Sequence, residues 1–180
     1  GRLDVFVVNG STFEPPEDKT KLAAMRNLLF RNRGEEGFVL VNDVAGDVWA
    51  TKDVGRGASF ADYDNDGDLD ILIVARGEGV KLLQNQGGAT AKWLVLDLKG
   101  DAGNRQAIGA TVTISAGGAK QQMTVVAGSS YLSMNDTRLH FGLGEDEIVD
   151  SVEIRWPDGH LQTLNGVNAN QILTVSKEQQ

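Results

Sequence analysis

Gly57-Ala58-Ser59-Phe60-Ala61-Asp62-Tyr63-Asp64-Asn65-Asp66-Gly67-Asp68-Leu69-Asp70-Ile71-Leu72-Ile73-Val74 sets five aspartates within nine residues, between two short apolar runs. Asp62, Asp64, Asp66 and Asp70 fit D-x-D-x-D-G-x-x-D, a spacing that lets carboxylates of one tight loop converge on a point. Asp68 occupies the position that usually offers its backbone carbonyl, and Gly67 permits the sharp turn that convergence needs. Hard oxygen ligands without His or Cys select Ca²⁺ over zinc or copper, and Mg²⁺ dislikes crowded carboxylate cages. Without a cation the carboxylates repel one another. The loop is not an EF-hand: position 12 is Ile73 where a bidentate Glu is required, and the flanks are strand-like. It therefore predicts a calcium loop at the turn of a β-hairpin, with an ion-free acidic turn as the plainer alternative.

Outward from the loop, short apolar runs recur between Gly, Asn and Asp clusters. Leu3–Val8, Phe38–Val41, Leu69–Val74 and Trp93–Leu98 carry the β-branched and aromatic residues of strands. Ala110–Ile114 and Ser151–Trp156 alternate with period two, as half-buried antiparallel strands do. Pro157-Asp158-Gly159 then supplies a turn, with Leu161–Leu164 returning as the hairpin partner. Leu22, Met25 and Leu29 stand near helical spacing, so Lys19–Leu29 is the one expected helix. The chain otherwise reads as all-β.

An internal repeat is visible. Gly1-Arg2-Leu3-Asp4-Val5-Phe6-Val7-Val8 matches Gly67-Asp68-Leu69-Asp70-Ile71-Leu72-Ile73-Val74 except at Arg2, and Leu29–Gly34 echoes Leu82–Gly87. Repeated strand units that cannot bury a face alone imply stacking, as in propeller blades. The first copy begins within a repeat, so the expectation is a fragment of a longer parent chain, with upstream propeller repeats as its partners. Two copies cannot close a propeller, which takes about four blades or more.

Composition bounds the function. The 180 residues are 41% hydrophobic and 23% charged, enough for a real core. Seventeen basic against 25 acidic residues leave a net charge of −8, concentrated in the aspartate loop, which disfavours nucleic acid and anionic lipid. No apolar run approaches the roughly 18 residues that span a bilayer, so membrane insertion is not expected. With no cysteine, disulfides, thiol nucleophiles and Cys-type zinc sites are excluded. No G-x-S-x-G elbow and no phosphate-binding G-x-x-x-x-G-K-S/T loop is present. His140 reads as a packed strand residue and His160 as a solvent-facing one. Tyr131, Asn135, Asp136 and Arg138 form a polar stretch with two readings: a recognition site for sugar or protein, or a turn whose side chains satisfy their own backbone.

The Gly57–Ile71 segment resembles an FG-GAP (VCBS-type) repeat, the calcium-binding blade of integrin-like β-propellers. Ile108-Gly109-Ala110, Gly128–Ser133, Asn135-Asp136, Leu139–Gly144 and Trp156–Gly159 resemble the ASPIC/UnbV domain. Together they are similar to the C-terminal part of the cartilage acidic protein family, which includes bacterial secreted members. The resemblance implies incomplete propeller blades over residues 1–90 and a β-sandwich-like domain over 91–180. It also implies calcium binding, an extracellular or cell-envelope location, and a noncatalytic role in adhesion or in recognition of a protein or glycan. The absence of cysteine excludes the EGF-like extension of animal relatives. The alternative is an accessory, carbohydrate-associated domain of a larger secreted enzyme.

Overall fold

The computed structural model describes residues 2–11, 22–87 and 91–178. Fifteen strands form five sheets, joined by turns and short 3-10 segments, and no sheet closes into a barrel. The first half holds β1 (Val5–Val7), β2 (Met25–Arg26), β3 (Leu28–Asn32), β4 (Phe38–Leu40), β5 (Lys52–Asp53), β6 (Gly55–Ala61), β7 (Asp70–Ala75) and β8 (Gly79–Leu83). They assemble as antiparallel sheets ordered β1-β3-β4 and β6-β7-β8, with β2 and β5 paired apart.

The sequence repeat is a repeat of structure down to single hydrogen bonds. Val5 faces Phe30, and Phe6 faces Leu29; at the matching places Ile71 faces Leu83, and Leu72 faces Leu82. The Asn32 N–H donates to Asp4 Oδ1 at 2.8 Å, and the Asn85 N–H donates to Asp70 Oδ1 at 2.8 Å. Each asparagine then accepts from the glycine two residues on, Gly34 at 2.9 Å and Gly87 at 3.0 Å. The Asn side chain in each copy thus closes the same small turn after the second strand. Phe6 sets its ring edge-on to both Trp49 and Phe60, centroids 5.6 and 5.9 Å apart, so the two copies share one aromatic contact.

The expected helix over Lys19–Leu29 does not form where the chain is described; residues 12–21 lie outside that description. Met25–Arg26 pairs with Lys52–Asp53, and Leu28–Asn32 lies between β1 and β4. Between them the buried Asn27 accepts the Asn9 N–H through its side chain at 2.8 Å and the Asn42 amide through its carbonyl at 2.7 Å. Long-range pairing of the backbone outweighs a local apolar spacing of three or four residues.

The second half holds β9 (Lys92–Lys99), β10 (Thr111–Ala116), β11 (Ala119–Thr124), β12 (Leu139–Gly144), β13 (Ile148–Arg155), β14 (Leu161–Asn168) and β15 (Gln171–Ser176). The sheet β11-β10-β13-β14 faces the sheet β12-β9-β15, in which β15 runs parallel to β9. Leu94, Leu96, Val112, Ile114, Phe141, Val152, Ile154 and Trp156 fill the space between them. These are the inward positions that the period-two alternation marks. The Trp156 indole N–H finds its acceptor in the buried Gln162 side chain at 3.0 Å. On the outer face of β12-β9-β15 stand Trp93, Val95 and His140, turned away from this core.

Candidate metal centre

The aspartate loop joins β6 to β7, with Ala61 opposite Asp70 as the last pair before the turn. Two of its carboxylates build the turn itself. Asp62 is fully buried and accepts the Asp66 N–H at 3.0 Å and the Gly67 N–H at 3.1 Å. Asp70, also buried, accepts from the backbone of Tyr63 at 3.2 Å and of Asn85 at 2.8 Å. Buried charge persists where such bonds replace hydration. Asn65 takes a positive φ of 61° and Gly67 one of 96°, which folds the loop back on itself.

Asp62, Asp64 and Asp70 each present a carboxylate oxygen such that all three atoms lie within 4.8 Å of one another. Oxygens on opposite sides of one calcium ion are separated by about 5 Å, twice the usual Ca–O distance. The spread and the all-oxygen donor set therefore fit a hard divalent cation. Asp64 is the exposed member, held only by the Gln84 side-chain amide at 2.7 Å. Asp66 and Asp68 do not belong to this trio: Asp66 Oδ1 accepts the Asp68 N–H at 2.9 Å as a local turn. Partial burial raises the Asp68 carboxyl above its ordinary value, and the charges of Asp66, Asp70, Asp62 and Asp64 push it the same way. The loop thus carries more negative charge than its own hydrogen bonds relieve.

The polar stretch of the second half meets this loop. Asn135 accepts the Phe60 N–H at 3.1 Å and donates to Ser129 Oγ at 2.7 Å, while the Asp136 N–H donates to the Phe60 carbonyl at 2.9 Å. Arg138 donates to the Asp62 carbonyl at 2.5 Å, to Asn65 Oδ1 at 2.6 Å and, through Nε, to Asp136 at 2.5 Å. Three of the four residues of the stretch are thereby engaged against β6 and the aspartate turn. Tyr131 alone stands free of it, 72% exposed at the loop tip. Trp93 lies against Gly67 so closely that a Cβ there would fall within its ring. His140, on the same face, is half-buried, and both ring nitrogens are shut from solvent without a hydrogen-bond partner.

Gln84, Asn85 and Trp93 are parts of this centre that motif reading passes over. A signal existed for Asn85, because the repeat aligns it with Asn32. None existed for Trp93, whose contact with Gly67 is made only in the fold.

Residues 1–73 match the FG-GAP-like repeat family, and residues 100–180 match the ASPIC and UnbV family. The chain joins an FG-GAP-like repeat to an ASPIC and UnbV domain. Human cartilage acidic protein 1 is 34% identical over 146 residues, covering 77% of this chain and 22% of that protein. The mouse protein of the same name is 34% identical over 158 residues, covering 83% and 24%. The chain spans less than a quarter of the length of these curated relatives. No helix among the described residues is long and apolar enough to cross a membrane. In the FG-GAP-like repeat the aspartate trio is the turn of the second copy, and the ASPIC and UnbV domain supplies the arginine and tryptophan that close over it.

Proposed function

We propose that this chain is a noncatalytic, calcium-ordered recognition module of an extracellular or cell-envelope protein, the ion held by Asp62, Asp64 and Asp70. The convergence of three carboxylate oxygens in a turn with surplus negative charge carries the reading. Bound calcium would supply only charge neutralisation and geometry, holding β6, β7 and the segment after β8 in one arrangement. Adhesion through a protein or glycan partner follows from the kinship with the cartilage acidic proteins. The apolar face of β7 and β8, where Leu72, Val74, Val80 and Leu82 are exposed, suits packing against a further repeat of the parent chain.

Asp64 gives the cleanest test, because it makes no backbone bond that the turn depends on. A ligand at 100 times its Kd stabilises the folded form by about 2.7 kcal/mol. For a chain of this size that is a Tm rise of about 5–10 °C. The rise should appear on adding Ca²⁺ to the chelated wild type and shrink sharply in Asp64→Ala. An unchanged Tm, together with no calcium-binding heat in calorimetry, would contradict the assignment.

A further inference from the structure

The two halves of the chain meet at the aspartate turn, and the residues that join them also shape it. The Arg138 guanidinium reaches from just before β12 to the carbonyl of Asp62, itself one of the trio, and to the side chain of Asn65 in the same loop. Asn135 and Asp136 add two bonds to Phe60, two residues before Asp62. Trp93 covers Gly67, the residue that turns the loop back. Undocking the second half would therefore free Asp62, Asn65 and Gly67 together.

We propose that Arg138 couples cation occupancy of the aspartate loop to docking of the C-terminal sandwich, so that each event strengthens the other. This rests on the calcium reading above. Two effects of the guanidinium oppose each other. Its positive charge repels a nearby cation, whereas its hydrogen bonds hold Asp62 and Asn65 in the converged turn. Asp136 settles the balance: it pairs with Arg138 Nε at 2.5 Å, and the two side chains are only 20% and 18% exposed, so the arginine faces the loop with its charge largely compensated. What remains is the ordering of the turn, which lowers the entropy that an incoming ion must otherwise remove. Coupling is reciprocal, so calcium must tighten docking by the factor by which docking tightens calcium.

The test uses the full chain, with calcium binding followed by calorimetry and docking followed by hydrogen exchange. The reporter amide is that of Asp136, whose N–H donates across the junction to Phe60. In the wild type, saturating Ca²⁺ should slow its exchange about tenfold, within the range of such couplings. Arg138→Met should weaken calcium binding about tenfold and abolish most of that slowing. Asn65→Gly keeps the positive φ and removes one acceptor only, so a loss of about threefold is expected, and it carries the test if Arg138→Met does not fold. Equal affinity in wild type and variants, or tighter binding in Arg138→Met, overturns the coupling while leaving the calcium site standing. Calcium binding without any change in Asp136 exchange does the same. Absence of calcium binding in the wild type removes the site and the coupling with it.

Discussion

Replacing Gly67 by alanine asks two things of the molecule at once, and they can be measured apart. Gly67 sits at φ 96°, where a Cβ is strained by about 1–2 kcal/mol. The same Cβ would be driven into the Trp93 ring, which has the rest of the β12-β9-β15 sheet behind it. Overpacking of this kind costs about 1–3 kcal/mol, because the ring must leave its rotamer or the junction must open. Gly67→Ala alone should therefore destabilise by about 2–5 kcal/mol. In a Trp93→Ala background the ring is gone, and the cost should fall to the backbone strain of about 1–2 kcal/mol. The difference of about 1–3 kcal/mol is the coupling between loop and sandwich, read from a double-mutant cycle of urea-unfolding midpoints at constant slope. Identical penalties in both backgrounds, within about 0.5 kcal/mol, would mean that Trp93 does not rest on the turn, and the account of the junction would fail.

Burial holds the His140 imidazole below its ordinary value; Asp62 and Asp136 pull it up, and Arg138 pushes it further down. The unfolded chain thus takes a proton near pH 6.5 that the folded chain refuses, and stability falls as pH drops below about 6.5. His140→Leu should flatten that slope in thermal melts between pH 5 and 7 and leave neutral stability level or raised by about 1 kcal/mol, since no hydrogen bond is lost. A steeper slope would contradict it. Burial by itself would raise the Asp53 carboxyl, but the ammonium of Lys81 bonded to it prevails and holds it below its ordinary value. Its contribution is present above the ordinary carboxylate range and lost as pH falls through the depressed value. Lys81→Met should cost about 1–3 kcal/mol, less than for a fully buried pair because Lys81 keeps 30% of its exposure, and should raise the Asp53 titration seen by carbon NMR. Trp156→Phe leaves the buried Gln162 oxygen without the indole N–H and opens a small void, at about 2–4 kcal/mol in thermal unfolding; a loss under about 0.5 kcal/mol would show that the pair is idle.

What could be read from the chain beforehand follows from how far each residue's partner lies along it. Val112, Ile114, Val152 and Ile154 announce their strands because one inward face repeats every second residue whatever lies opposite. The aspartate turn is legible for the same reason: Asp62, Asn65, Gly67 and Asp70 bond within their own loop or its hairpin. Even there the motif overcounts. Five aspartates suggest five ligands, yet Asp62 and Asp70 build the turn with their carboxylates, Asp66 caps Asp68, and only Asp64 is left with no backbone bond to make. Leu22, Met25 and Leu29 mislead because helical spacing describes neighbours in sequence, whereas Met25 and Leu29 are held by Asp53 and Phe6. Arg138 and the Asn135-Asp136 pair mislead in a subtler way. Their polarity is visible and invites a ligand, but their partners are Asp62, Asn65 and Phe60, more than seventy residues earlier. A polar cluster whose hydrogen bonds are completed by a distant part of its own chain looks, in sequence, the same as one awaiting a foreign molecule. The distinction is physical: at this junction the donors and acceptors of Asn135, Asp136 and Arg138 are already matched, and Tyr131 at the exposed tip is the member left to meet something outside the chain.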